Sequence, residues 1–478
     1  MAAQNINPGE KIYALVNYED PYVQPLILAA LKKRLPASAH EFITSPSQLP
    51  SPSSRFLQWV QYESIDFDHL MEHSSSSLSN AYVIRKALIR KHYLSTTIAN
   101  WITKYPDSVL KKHVKPSVEF EVDYAEFLDD ALVEAWELKE SWARNEELDG
   151  DEDEEEAAKK KEWWILKPGM SERGQGIRLF SSEEELTAIF EEWDPESDDE
   201  EDEEDGDARS DAGAPNTDDR KEEKDEGNGI ITSQLRHFIA QPYIHPPLLL
   251  SPPSLATPSS SSSPETLRKF HIRTYVLATG ALQVYVYRPM LALFAARPYV
   301  PPWDAALQEN REEAMKAHLT NTCLQDSGDR EGSVGLFWDL PETIPGQPPF
   351  TSSNGKTLDV GKGWKDEVFS QILKTTSQTF EAAARGMSIH FQPLPNSFEI
   401  FGLDFMVGIE GNGELNTYLL EVNAFPDFRQ TGDELSGMIE GLFEGVVNKG
   451  VAPFFGLNVE QEGDDDMVKV LDVDLGRR

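Results

Sequence analysis

Two segments near the C-terminal end, Phe401–Val407 and Tyr418–Asn423, alternate along their length and are rich in aromatic and β-branched residues. With Gly411-Asn412-Gly413 between them they specify an antiparallel hairpin. Side chains two apart on a strand share a face, so Glu421 and Asn423 point the same way. Asp404 on the partner strand can point there too. Two carboxylates and an amide oxygen on one sheet face form a hard-oxygen site suited to Mg²⁺, which keeps its other positions for water and phosphate oxygens. Alone, such a cluster reads equally well as a solvated acidic face. Cations and glycines upstream turn the reading toward nucleotide chemistry.

The 478 residues are enough for two or three packed domains, and 39% hydrophobic content is enough for real cores. No run of 18 apolar residues occurs, which argues against a membrane span, no membrane partner is expected, and the N-terminus lacks the basic-then-apolar order of a signal peptide. A single cysteine, Cys323, excludes an internal disulfide and fits a reducing compartment, with the cytosol favoured. The net charge is −39. Glu191–Glu226 holds 20 acidic and 4 basic residues, and Glu146–Glu156 holds 9 acidic and none basic, so two tracts carry −25 of it. Such blocks cannot bury enough apolar surface to offset ordering entropy and read as disordered loops. So acidic a chain is a poor nucleic-acid binder. One segment runs the other way: Arg85–Lys115 has eight basic residues against Asp107 alone, either a docking surface for an anionic partner or a solvated helix face.

The periodicities give a mixed α/β (α+β) chain. Strands are expected at Lys11–Asn17, Trp163–Lys167, Gly176–Phe180, Leu235–Tyr243, Lys269–Ala278, Leu282–Arg288 and Phe294–Tyr299. Helices are expected at Val23–Leu35, within 81–105, and at Tyr124–Trp142, Glu183–Trp193, Trp364–Arg385 and Glu434–Asn448. These divide into an N-terminal α/β domain (1–80), a central domain (81–190), an acidic insert (191–230), a C-terminal domain (231–460, with a Pro/Ser-rich loop at 245–264) and an acidic tail (461–478).

Three further groups carry chemistry. Lys167 at a strand end precedes a loop with Gly174 and Gly176, which can bring an ammonium and bare backbone N–H groups to phosphates, although an ordinary glycine turn fits as well. On a strand, Lys269, His271 and Arg273 share one face while Phe270 and Ile272 bury the other. Two cations on a sheet face need a compensating anion, and arginine's fork suits phosphate or carboxylate. Arg288, one strand on, can join that face; an exposed face with scattered charges is the other reading.

Taken together, these segments resemble the ATP-grasp amino-acid ligases of the tubulin–tyrosine ligase family, in a fungal-type form. The matching stretches are Trp164–Lys167 with Arg173–Ile177, Gln241–Ile244 before Pro247–Leu250, Lys269–Arg273, Tyr287-Arg288, His318–Asn321, Phe401–Met406 and Leu420–Asn423. They stand in the family's order across roughly residues 81–450. The resemblance implies an ATP-grasp fold with a small N-terminal α/β domain and a central domain. By position it places Lys167 and Lys269 on phosphates, and Gln241 with the backbone of Tyr243 and Ile244 at the adenine. It puts Arg273 and Arg288 on the γ-phosphate and the acceptor carboxylate, and Asp404, Glu421 and Asn423 on Mg²⁺. Lys86 of the pair Arg85-Lys86 reaches the nucleotide, and Thr320 and Asn321 form a substrate-side loop. The family usually has aspartate where this chain has His271.

The implied reaction uses ATP and Mg²⁺: a carboxylate attacks the γ-phosphate, and an amine displaces phosphate from the acyl phosphate, leaving an amide. The implied partners are a free amino acid, tyrosine first, and an acidic protein C-terminal tail of the tubulin kind. The alternatives are a glutamate or other amino-acid ligase on a different acceptor, or a degenerate ATP-grasp scaffold of cytoplasmic mRNA granules.

Overall fold

Ile12–Asn17 alternates as a strand should and forms β1; the helix expected after it is α1 (Val23–Arg34), which buries Val23, Ile27, Ala30 and Leu31. In this computed structural model the described residues are 11–148, 154–169, 174–193, 235–253, 266–305, 307, 310–320, 333–342, 344, 363–432, 435–459 and 465–476. The readings on Arg173, Asn321, Cys323, most of the acidic insert and the end of the Pro/Ser-rich loop lie outside them. β1 is joined by β2 (His40–Ile43), β3 (Phe56–Val60) and β4 (Ser77–Ser79) in a parallel sheet of order β2-β1-β3-β4. β3 is buried along its whole length, so it shows an apolar run rather than alternation.

The chain divides into two compact units, one of residues 1–117 with 241–478 and one of 118–240. Residues 81–117, expected in a central domain, fall in the first of these units. Lys91–Lys104, here α2, buries Leu94, Ile98 and Trp101 in the same core as α5 (Trp364–Gly386, below), which ties the basic segment to the larger unit.

The smaller unit carries β5 (Val118–Glu121), β6 (Trp164–Pro168), β7 (Arg178–Phe180) and β8 (His237–Pro242) in the order β5-β8-β6-β7. Two helices, α3 (Trp136–Leu148) and α4 (Glu183–Trp193), cover it through Leu138, Trp142, Leu186, Ile189, Phe190 and Trp193. The helix expected over Tyr124–Trp142 is broken: Ala125–Phe127 is a 3-10 turn, Leu128–Ala131 a single helical turn, and α3 starts only at Trp136. The acidic tract at 146–156 is likewise not all loop. Its start completes α3, and Glu154–Lys160 is helical, with acids first and lysines last as the helix dipole prefers.

The larger unit is organised on an eight-stranded sheet made from β9 (Leu249–Leu250), β10 (Arg268–Thr279), β11 (Gln283–Tyr287), β12 (Leu291–Phe294), β13 (Val334–Leu336), β14 (Phe398–Ile409), β15 (Leu415–Ala424) and β16 (Met467–Asp472). β10 is its axis. One edge pairs with β12 and then β11, and the other pairs with β14, which carries β15 outward. α5 packs on the face carrying Ile272, Val276, Leu403 and Phe405. α6 (Ser436–Val446) packs on the face carrying Tyr275, Leu277, Leu291 and Leu293, together with α1 and Trp59. Two strand expectations shift. The strand placed at Phe294–Tyr299 runs instead over Leu291–Phe294, in register with β10. The expected acidic tail contains β16, whose Met467 and Leu471 are buried against β11.

Candidate active site

The expected hairpin forms, and its register decides what faces what. Asp404 lies opposite Glu421 and Gly402 opposite Asn423. Between Asp404 and Phe405 the register slips by one residue, leaving Leu420 unpaired on β15. That bulge re-aims the strand: Tyr418, three residues before Glu421, faces the same side as Met406, Asp404 and Glu421. No local residue pattern signals it.

On the other edge of β14, Asp404 lies opposite Arg273 of β10. Arg273 donates from Nε to Asp404 Oδ1 at 2.5 Å and from Nη2 to Oδ2 at 3.0 Å, a bidentate pair with both side chains buried. Burial alone would lower the guanidinium's pKa; Asp404 outweighs it and the net shift is upward. Asn423 Nδ2 lies 3.4 Å from Asp404 Oδ2 and 3.2 Å from Glu421 Oε1. The three groups expected to hold Mg²⁺ therefore converge from two strands. Gly402 is required beside them: a Cβ there would stand 2.8 Å from Pro426 Cβ and 3.3 Å from Arg273 Cδ.

Among the described residues no cluster of three His, Cys, Asp or Glu side chains forms an all-acid or histidine cage. The donor set here is two carboxylates and an amide oxygen, available when the Asn423 amide turns its Oδ1 inward. That set fits Mg²⁺, which takes few protein ligands. Lys91 of α2 completes the ring of charges, its Nζ 3.3 Å from Glu421 Oε2. In the sequence Lys91 is one of eight cations in a run, and nothing local marks it for this site.

His271 and Lys269 share Arg273's face, as expected. His271 Nδ1 lies 2.6 Å from Thr320 Oγ1, while its buried Nε2 has no hydrogen bond and stands 3.6 Å from Asp404 Oδ1. Burial lowers the imidazole's pKa against the pull of Asp404 and Glu421, with Arg273 and Lys269 adding to the fall, so the neutral ring prevails at pH 7. Thr320 thus joins the cluster; Asn321 lies outside the described residues. Lys269 Nζ donates to Tyr243 Oη at 3.1 Å, and Tyr243 Oη lies 2.8 Å from His318 Nδ1. Burial holds the Tyr243 phenol well above its usual pKa and His318 well below. Sequence reasoning gave Tyr243 only a backbone role, so this buried network is new.

Ile244 packs on Met406 and Tyr418, forming an apolar floor beside the acidic cluster on the β14–β15 face. Gln241 donates from Nε2 to Ser117 Oγ at 2.8 Å. Gly408 keeps the Ile244 segment close, since a Cβ there would lie 3.0 Å from the Tyr418 ring and 3.2 Å from Ile244 Cγ2.

Arg288 is not brought to this face. Its guanidinium lies over the rings of Trp338 and Phe369, at 4.2 and 5.2 Å from their centroids, and 3.9 Å from Asp366, on the α5 side of the sheet. Lys86 is exposed at the start of the short helix Lys86–Ile89. Its neighbour Arg85 is buried, with Nε 2.9 Å from Glu399 and its guanidinium 3.8 Å from the Tyr62 ring centroid. In the smaller unit Lys167 is buried on β6. Gly174 and Gly176 both take positive φ, 77° and 72°, as the expected turn requires.

A family profile described as "Tubulin-tyrosine ligase family" matches residues 77–458. A protein named a probable tubulin–tyrosine ligase in Schizosaccharomyces pombe is 41% identical over 450 residues, covering 93% of this chain and 92% of that one. The probable tubulin–tyrosine ligase PBY1 of Saccharomyces cerevisiae is 40% identical over 461 residues. That match takes in 94% of this chain and 54% of PBY1, so the chain spans about half that relative's length. Among solved structures, the C-terminal domain from K. lactis Pby1 matches with a TM-score of 0.62 and 33% identity over 97% of this chain and 99% of that one. It is described as an ATP-grasp enzyme interacting with the mRNA decapping enzyme Dcp2.

Proposed function

Because the chain belongs to the tubulin–tyrosine ligase family and has the ATP-grasp fold, we propose that it is an ATP- and Mg²⁺-dependent ligase joining a free amino acid to a protein C-terminal carboxylate. The observation that carries this reading is the convergence of Asp404, Glu421 and Asn423 across the bulged hairpin, with Arg273 on Asp404. A solvated acidic face would not hold a buried arginine in a two-point grip.

Asp404, Glu421 and Asn423 would hold the cation, which when bound offsets charge on the transferring phosphoryl oxygens. Arg273 holds Asp404 in place through two hydrogen bonds. Lys269, held by Tyr243, presents an ammonium to phosphate from the same strand face. Neutral His271 offers a hydrogen-bonding nitrogen where the family usually has a carboxylate, without adding a negative charge beside the phosphates. Ile244, Met406 and Tyr418 supply the apolar floor for a purine. Lys167, Gly174 and Gly176 form a phosphate-contact element on the smaller unit. The acceptor is an acidic tail of the tubulin kind, tyrosine is the first amine to test, and the location is the cytosol.

A binding role in mRNA decapping is the second reading, favoured by the described partner of the K. lactis relative. The test is ADP release from Mg-ATP with single amino acids and a glutamate-rich peptide bearing a free C-terminal carboxylate. Release needing both peptide and one amino acid, cut about 100-fold or more in Glu421→Gln, is the expected result. Absence of release from protein that binds Mg-ATP overturns the ligase reading in favour of the binding role.

A further inference from the structure

The smaller unit carries a surface that its own core does not use. Between Tyr124 and Trp136, Leu128, Leu132 and Ala135 turn inward and are 3% exposed or less. The large side chains interleaved with them turn outward: Tyr124 is 51% exposed, Phe127 48%, Val133 56% and Trp136 66%. Among the described residues only six large hydrophobic side chains are this exposed, and four of them fall within these 13 positions. Tyr124 and Phe127 pair edge to face at 6.2 Å, Val133 stands in the turn that leads into α3, and Trp136 is the first residue of α3. Aromatic residues exposed together cost solubility with no gain in folding, and Trp and Tyr are the side chains that dominate binding energy at protein interfaces.

The charges around them say what such an interface would accept. From Glu119 to Glu140 there are nine acidic residues and one lysine. That field repels nucleic acid, anionic lipid and the acidic tracts of this chain, and it attracts a cationic segment. We propose that Tyr124–Trp136 is a docking surface for a protein segment bearing apolar side chains flanked by lysines or arginines.

The test uses the full chain and three labelled 18-residue peptides: a leucine/lysine amphipathic helix, a shuffled peptide of the same composition with no apolar face, and a leucine/glutamate version. Fluorescence anisotropy is expected to show binding of the first alone. Phe127→Ser with Trp136→Ala should weaken it about tenfold or more while the thermal unfolding midpoint stays put, since neither side chain is buried. Glu126→Lys with Glu134→Lys should weaken it as well. Equal binding of the shuffled peptide, or unchanged binding by the Phe127/Trp136 variant, reduces the surface to a charge effect and overturns the proposal. Concentration-dependent dimerisation abolished by the same variant would make a second copy the occupant and overturn it too.

Discussion

Arg273→Met is the substitution that most directly tests how the acidic cluster is held together. Both partners are nearly out of water, with Arg273 8% and Asp404 6% exposed in their side chains, and two hydrogen bonds join them. Removing the guanidinium leaves a buried carboxylate. Its remaining neighbours are the Asn423 amide at 3.4 Å and neutral His271 at 3.6 Å, neither of which supplies a compensating charge. Breaking a buried pair on one side costs about 3–5 kcal/mol, a large share of the roughly 5–15 kcal/mol that holds a typical domain folded. Neutralising the carboxylate as well, in Arg273→Met with Asp404→Asn, should recover most of that loss and leave a deficit of about 1–2 kcal/mol. Urea unfolding followed by circular dichroism measures both as shifts in midpoint at constant slope. The double-mutant cycle should return a coupling of about 2 kcal/mol or more. A single variant that loses less than about 1 kcal/mol, or effects that simply add, would refute the claim that the buried Arg273–Asp404 pair holds the cluster together.

Two other sites give separate expectations. Burial pushes the Glu399 carboxyl up to about 7 from 4.5, against the pull of Arg85 and the Tyr82 N–H. Between those values the folded protein keeps a proton that the unfolded chain releases, so stability falls as pH rises through the window and levels off above it. Urea midpoints from pH 4.5 to 8 should show that fall in the native chain, of at most about 3 kcal/mol, and not in Glu399→Gln; parallel curves would count against it. On the basic segment, Lys111 and Lys112 are exposed beside the Lys115–Tyr418 contact. Reversing both to Glu should raise the KM for an acidic acceptor peptide about tenfold and leave that for ATP unchanged, because exposed charges contribute about 0.2–1 kcal/mol each. Equal KM values for the peptide would remove the docking role.

What could be read from the residues alone follows the range over which each signal acts. The strands of the hairpin and the common face of Glu421 and Asn423 are period-two facts, visible within a few residues. So is the face of Lys269, His271 and Arg273, which the structure keeps. The bulge at Leu420 is a one-residue slip set by long-range pairing, and it alone brings Tyr418 onto the face of Glu421. The broken helix at Tyr124–Trp136 shows the opposite limit. Helical spacing of Leu128, Leu132, Ala135 and Leu138 is real, but the chain satisfies it with a single turn and a restart.

Arg288 shows most plainly why residue type outruns placement. Once Leu277 is set opposite Tyr285, Tyr285 and Tyr287 must share the face of Arg273, and Val284 and Val286 take the α5 side. Arg288 continues the parity of the valines and comes to rest on Trp338 and Phe369. A register shifted by one would exchange those faces and set Arg288 beside Arg273. No stretch of five or six residues contains that choice, because it is made by side chains packing on β10 and β16 from both sides at once. The same dependence governs Asp404, whose partners at 273, 421 and 423 come from two other strands, β10 and β15. Its residue type is legible as a candidate ligand, whereas its burial, its arginine and its nearness to His271 exist only after the sheet has closed.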